Sequence, residues 1–339
     1  MNIELEKLRT EVRNWLAANA PKDWREAATH DVFVAGQRDW FKKLVAAGYA
    51  IPHWPAAWPG GGRSLAEQKV IYEELARADA PRLLLSFVST YHAFATLHEC
   101  GNDEQKARYL PRIMEGETWC QGFSEPGAGS DLAAVKCKAE LKGDHYIVNG
   151  QKTWTTLAQT ADWIFCLVRT SNEGKRQEGI SFLLIDMKTP GITVRPIRML
   201  EGGTDLNECY LDNVRVPVEN LVGELHKGWS YGKYLLGHER TGIAGIGSCK
   251  QQLARARALA DRQGLGEDAL LQNKLMQFEV ELMALEFTAL RLLSAHQQSK
   301  TPGVEASMLK VRGTELRQAI FETLVDIAGP DAVPFSAEA

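Results

Sequence analysis

Near residue 118 the spacing of apolar residues changes from a helical period to a strand period, and near residue 228 it changes back. Before the first change, Leu5, Leu8, Val12, Trp15 and Leu16 share one side of a helix that Pro21 closes. A Pro- and Gly-rich loop, PHWPAAWPGGGR, then leads to a capping box of Ser64 and Glu67, and helical pattern continues to about Glu115. After the change come short runs of β-branched and aromatic residues: HYIV, QKTWTT, WIFCLVRT, ISFLLIDM, ITVRPI and ECYLDNVRVP. Asn149-Gly150, between the first two, accepts positive φ and predicts a two-residue hairpin turn there. The β block ends near Glu224 and is too short for a nucleotide-binding parallel sheet, so it reads as a small barrel or sandwich. From Trp229 helix returns, and Leu271, Leu275, Phe278, Leu282, Leu285, Ala289 and Leu292 form the stripe of a bundle helix. The expected fold class is α+β: an N-terminal helical domain over residues 1–117, a central β-barrel-like domain over 118–227, and a C-terminal helical bundle over 228–339, the last incomplete at its C-terminus.

Charge narrows the function. A net charge of -4 with no long run of one sign disfavours nucleic acid and lipid surfaces and points to a small-molecule partner. Six cysteines without a CxxC pair or a histidine at ligand spacing predict neither a metal site nor a disulfide framework, and reduced thiols suit a cytoplasmic protein. The first 21 residues contain no continuous apolar stretch, so neither a signal peptide nor a membrane span is expected.

Three segments carry chemistry. In QGFSEPGAGSD, Gln121 to Asp131, small residues let backbone N–H groups approach an anion or a flat ring, and Ser124 and Ser130 add hydroxyls; a surface turn explains Pro-Gly-Ala-Gly equally well. No GxGxxG or GxxxxGK pattern is present there. In NGQKTWTT, Trp154 and Thr156 stand two residues apart on one side of a strand and suit a flat heteroaromatic ring, although a strand Trp commonly packs in a core. In LLGHERTGIAGIG, Glu239 shares a helical face with Leu235, Ile243 and Ile246. Burial there raises a carboxyl pKa towards that of a general base for a weakly acidic C–H; the alternative is a structural ion pair, for which Arg240 faces the wrong way. Gly237, Gly242, Gly245 and Gly247 each cost a helix roughly 1 kcal/mol, which implies something lying close against it.

With SEPGAGSD, NGQKTWTT and ERTGIA in this order, the chain resembles the acyl-CoA dehydrogenase family over nearly its whole length, and within it the branch of the pimeloyl-CoA dehydrogenase large subunit, near subunits acting on dicarboxylic or steroid side-chain CoA esters. The resemblance implies FAD as cofactor, α,β-dehydrogenation of an acyl-CoA to a trans-2-enoyl-CoA, and electron-transferring flavoprotein as partner. It assigns Gln121, Gly122, Phe123, Ser124, Gly129, Ser130, Trp154, Thr155 and Thr156 to the cofactor, with Ser124 at the flavin's pyrimidine edge and Thr156 near its N5. Glu239 takes the position of the catalytic base, while Ser130, Gly237, His238 and Arg240 fall to the substrate. The stretches around Tyr91 to Leu97 and Leu235 to Ile243 would wall the acyl pocket.

Two departures accompany the likeness. Relatives carry Arg-Phe-Gly and a later Gln that reach a neighbouring subunit's FAD; here DRQGLGEDALLQN keeps Arg262 without the Phe-Gly pair. The terminal GGxNEIQ-like segment is also missing from the sequence. Both fit a subunit of a mixed α₂β₂ assembly and also a chain whose site is completed by something else; a homo- or hetero-oligomer is expected. A non-catalytic partner subunit and a flavin oxidase on the same fold are the competing readings.

Overall fold

The computed structural model describes residues 3–22, 24, 30–200, 202–242, 245–297 and 305–332. In chain order the helices are α1 (Ile3–Asn19), α2 (His30–Ala46), α3 (Leu65–Arg77), α4 (Leu84–Phe87), a π-helical turn (Val88–Ala93), α5 (Phe94–Cys100), α6 (Asp103–Met114), α7 (Gly228–Gly242), α8 (Ile246–Arg262), α9 (Ala269–Gln297) and α10 (Glu305–Ala328). Between α6 and α7 lie seven strands: β1 (Trp119–Gly122), β2 (Lys138–Lys142), β3 (His145–Thr156), β4 (Trp163–Arg169), β5 (Ile180–Asp186), β6 (Ile192–Ile197) and β7 (Leu206–Pro217). The helix, β, helix order predicted from periodicity is the order observed. Contacts group the chain into two units.

The first unit comprises Met1–Ala20, Arg63–Ala80 and Glu239–Ala339. Leu8, Val12 and Leu16 of α1 are buried as their spacing predicts, and Ser64 caps α3 through reciprocal bonds with Glu67. Leu275, Phe278, Leu282 and Leu285 of α9 pack with Cys249, Leu253, Ala256 and Ala260 of α8 and Leu309, Leu316, Ile320 and Ile327 of α10. Glu74, 1% exposed, receives guanidinium hydrogen bonds from Arg9, Arg13 and Arg77.

The second unit, Pro21–Gly62 with Pro81–His238, holds the sheet. Its strand order is β1-β4-β2-β3-β7-β6, with β5 on β4. β1 runs parallel to β4, whereas β2–β3, β3–β7, β4–β5 and β6–β7 are antiparallel. Cys120, Val148, Ile164, Cys166, Val168, Leu183, Cys209 and Val214 are among the buried residues of its core.

The turn expected at Asn149-Gly150 is absent: β3 runs unbroken through it, and the hairpin turns at Gly143-Asp144 between Lys142 and His145. Gly150 answers a different need, because a Cβ there would lie 2.7 Å from the Cys137 Cα. The segment from 235 to 247 is likewise not one helix. α7 ends at Gly242, and Gly245, at φ +60°, stands as the cap before α8.

Candidate functional site

Two of the three segments, 121–131 and 149–156, meet in the second unit, where β1 leaves the sheet and runs into the Gly-rich loop. Glu125 and Ala128 exchange two backbone hydrogen bonds of 2.9 and 3.0 Å, closing Glu125-Pro126-Gly127-Ala128 into a tight turn. Thr153 N donates to Ser124 O at 2.9 Å, laying the loop along β3 next to Trp154. Two segments separated by 29 residues in the chain are thereby neighbours.

A buried ion pair locks this junction. Lys152, 0% exposed, donates to Glu125 Oε1 at 2.8 Å, to Phe123 O at 3.2 Å and to Leu167 O at 2.7 Å, so each ammonium hydrogen has an acceptor. Glu125 also accepts from Lys136 N at 2.7 Å and Cys137 N at 2.9 Å. Full hydrogen bonding is what makes a buried charge pair tolerable. Arg169 pins the far end of the loop through Ala133 O, Val135 O, Arg176 O and Glu178 O.

β3 has irregular register with β7 between Lys152 and Thr155, and Trp154 lies at φ +58°. The irregularity inverts the alternation: Lys152 and Thr153 are both buried, then Trp154 is exposed, Thr155 buried and Thr156 exposed. Trp154 is thus an apolar plate held 61% exposed in a left-handed conformation.

The predicted cofactor residues divide by what they present. Trp154 and Thr156 offer side chains, and Gln121 and Ser124 are half-buried. Gly129 and Ser130 are exposed, and a Cβ added at Gly127 or Gly129 would meet nothing within 4 Å. Gly122 is required by packing, since a Cβ would fall 2.5 Å from Cys166 Sγ. Phe123 is a core ring set edge-on to Phe165 and Phe182. Thr155 is 1% exposed, and its carbonyl accepts from Asn207 Nδ2 at 3.1 Å within the β3–β7 pair. An exposed indole beside a hydroxyl and an open small-residue loop fits a flat ring joined to an anionic tail, as FAD requires.

The chain leading into α7 is tied to β5: Val222 N donates to Phe182 O, and His226 N to Ser181 Oγ, both at 2.9 Å. Leu235 is fully buried, and Gly237 has open space where a side chain would be. His238, Glu239 and Arg240 belong to α7, but their side chains lie outside the described residues.

Sequence reasoning did not pick out Glu125 and Lys152. The available signal was two opposite charges, one in each motif, flanked by small and apolar residues. Nor was His92 singled out within the 91–97 stretch expected to wall the acyl pocket; it sits in the π-helical turn.

Family models for the acyl-CoA dehydrogenase N-terminal, middle and C-terminal domains match residues 2–117, 120–214 and 226–338. The acyl-CoA dehydrogenase IpdE1 of Mycolicibacterium smegmatis is 36% identical, over 96% of this chain and 87% of its own. The chain superposes on the Tcur3481-Tcur3483 steroid ACAD with a TM-score of 0.87 and 30% identity, covering 100% of this chain and 88% of that one. On the ChsE4-ChsE5 complex from Mycobacterium tuberculosis the TM-score is 0.84 at 32% identity, covering 98% and 87%. The chain belongs to the acyl-CoA dehydrogenase family of oxidoreductases.

Proposed function

We propose that this protein is an FAD-dependent dehydrogenase that converts an acyl-CoA thioester to its trans-2-enoyl-CoA and passes electrons to electron-transferring flavoprotein. The observation that carries this reading is the junction of loop 121–131 with β3, which presents Trp154 and Thr156 on one exposed face. FAD, when bound, supplies the two-electron acceptor for the substrate's β-hydrogen. Trp154 would flank the flavin, Thr156 would donate a hydrogen bond to it, and Ser124 with the main chain of 121–124 would hold its polar edge. Gly129 and Ser130 serve the pyrophosphate or the CoA. Glu239 removes the α-proton as general base, and Arg240, His238 and Gly237 bind the CoA thioester. The thioester oxygen needs hydrogen-bond donors as enolate charge develops.

The acyl group is bulky: a dicarboxylyl chain such as pimeloyl, or a ring-bearing chain of the kind that the name of the steroid relative suggests. The domain limits 1–117, 118–227 and 228–339 and a cytoplasmic location belong to the same reading. No described helix is long and apolar enough to cross a membrane. An oligomer, either homotetrameric or α₂β₂, is supported by one exposed apolar face of α9. Met276, Val280, Met283 and Phe287 recur there at helical spacing and are 53–67% exposed.

The test is anaerobic absorbance of the purified protein beside Glu239→Gln during titration with acyl-CoAs that include pimeloyl-CoA. Flavin bleaching in the wild type alone is expected. A colourless protein favours the non-catalytic partner subunit, and equal bleaching in the variant removes Glu239 as base. Rapid reoxidation of the bleached flavin by oxygen would assign the oxidase activity instead.

A further inference from the structure

In the helical stretch from Leu84 to Cys100, three buried hydroxyls are spent within the chain. Thr90 Oγ1 donates to Ser86 O at 2.8 Å, Thr96 Oγ1 donates to His92 O at 2.9 Å, and Ser89 Oγ accepts from Trp119 N at 3.0 Å. The His92 imidazole is 4% exposed, and neither ring nitrogen has a hydrogen-bond partner among the described residues. Gln121, first of the residues assigned to the flavin, faces the ring and raises its basicity somewhat without reaching hydrogen-bond geometry. Burial has the larger, opposite effect and pulls the pKa down to about 4, so the ring is neutral near pH 7, with one N–H donor and one bare lone pair.

Backbone geometry marks the same residue. His92 lies where the helix widens to a π-turn, Phe94 N bonding to Ser89 O five residues back, a distortion found frequently at functional sites. Phe87 meets the imidazole edge-on at 5.1 Å, so one side of the ring is apolar. A buried neutral imidazole with both nitrogens unspent, beside Gln121, is suited to a group that arrives with the substrate.

Building on the dehydrogenase reading, we infer that His92 is a hydrogen-bonding subsite for an uncharged oxygen, a ketone or hydroxyl, carried on the acyl group. A terminal carboxylate fits poorly, because it would be stripped of water beside a ring whose protonation the same burial opposes. Of the two bulky acyl classes, the ring-bearing oxygenated one is therefore selected over the dicarboxylyl one.

The experiment compares wild type, His92→Phe and His92→Gln with octanoyl-CoA, pimeloyl-CoA and 3-(4-oxocyclohexyl)propanoyl-CoA, following anaerobic flavin bleaching and KM. In parallel, ¹⁵N NMR of histidine-labelled protein follows the His92 ring on binding each thioester. Expected are a KM for the oxo-acyl-CoA about tenfold higher in His92→Phe than in wild type, a distinctly smaller change with octanoyl-CoA, and recovery in His92→Gln, whose amide can still donate and accept. The ring nitrogen shift should move with the oxo-acyl-CoA and not with octanoyl-CoA. Equal KM changes for all three thioesters, a selective loss for pimeloyl-CoA, or a still ring signal overturns the subsite. A moving ring signal without bleaching by any thioester retains the subsite and rejects the dehydrogenase reading.

Discussion

Among the described residues two glutamates are almost fully buried, one in each unit, and their surroundings differ. Glu74 is tied by side chains alone to Arg9 and Arg13 of α1 and Arg77 of its own helix α3, with arginine side chains 26–52% exposed. Glu125 is tied to a lysine that sees no solvent, and that lysine also grips the main chain of Phe123 and Leu167. Glu74 thus joins helices, whereas Glu125 and Lys152 set the course of the backbone that carries the proposed flavin residues. Damage at the first should cost stability alone, and damage at the second should cost stability and cofactor together.

The largest effect is expected from Lys152→Met. It strands Glu125 as a buried charge and orphans two carbonyls, a loss of about 3–5 kcal/mol. Urea unfolding should show this as a lowered midpoint, and the purified variant should have lost flavin absorbance. Restoring the apolar balance with Glu125→Leu in the same chain should recover part of the stability without the flavin. A double variant that regains full flavin would mean that the pair does not position the loop.

Glu74→Gln should cost less, about 2 kcal/mol, because its arginines keep contact with water. The guanidinium hydrogen bonds, that of Arg13 foremost, hold the Glu74 carboxyl down at about 2 against an ordinary value of 4.5. A depressed carboxyl stabilises the fold fully above its unfolded pKa and loses that contribution as pH falls through its folded pKa. The difference between wild type and Glu74→Gln should accordingly be full at pH 6, smaller at pH 3 and nearly gone below pH 2. A difference independent of pH between 6 and 2 would show that the arginines do not act through the Glu74 charge. Flavin absorbance should be the same in both proteins.

The same contrast explains what could be read from the chain. Stripes such as Leu275, Phe278 and Leu282 were legible because a straight helix repeats its spacing faithfully. Trp154 and Thr156 were legible as a same-side pair, both being exposed, although the irregular register of β3 includes Trp154 itself. Lys152 was not legible: two-apart spacing puts it on the side of Trp154, in solvent, whereas it shares the buried side of Tyr146 and Val148 and the irregular register after it turns Trp154 outward. Asn149-Gly150 misled for a related reason. Its glycine answers the close backbone of Cys137, a partner 13 residues away that no local turn rule sees. His92 was hidden because a π-turn leaves no mark in apolar spacing.

The smallest effect separates the two units most cleanly, because each has a helix with a capping box. Ser64 Oγ accepts from Glu67 N at 3.3 Å at the exposed start of α3, and Glu67 returns a bond to Ser64 N. Ser64→Ala should therefore cost about 1 kcal/mol and nothing else. At α6 the cap is Asn102 with Gln105, but Gln105 is 3% exposed, and its amide also donates at 2.8 Å to Glu219 O and Leu221 O, in the segment that leads into α7. Gln105→Ala should thus exceed Ser64→Ala in urea unfolding by the cost of two orphaned carbonyls, about 1–3 kcal/mol. It should also raise the KM for acyl-CoA, since the chain it braces leads to Gly237 and the residues that follow. Equal losses in stability and an unchanged KM would mean that the Gln105 bonds brace nothing beyond their own helix.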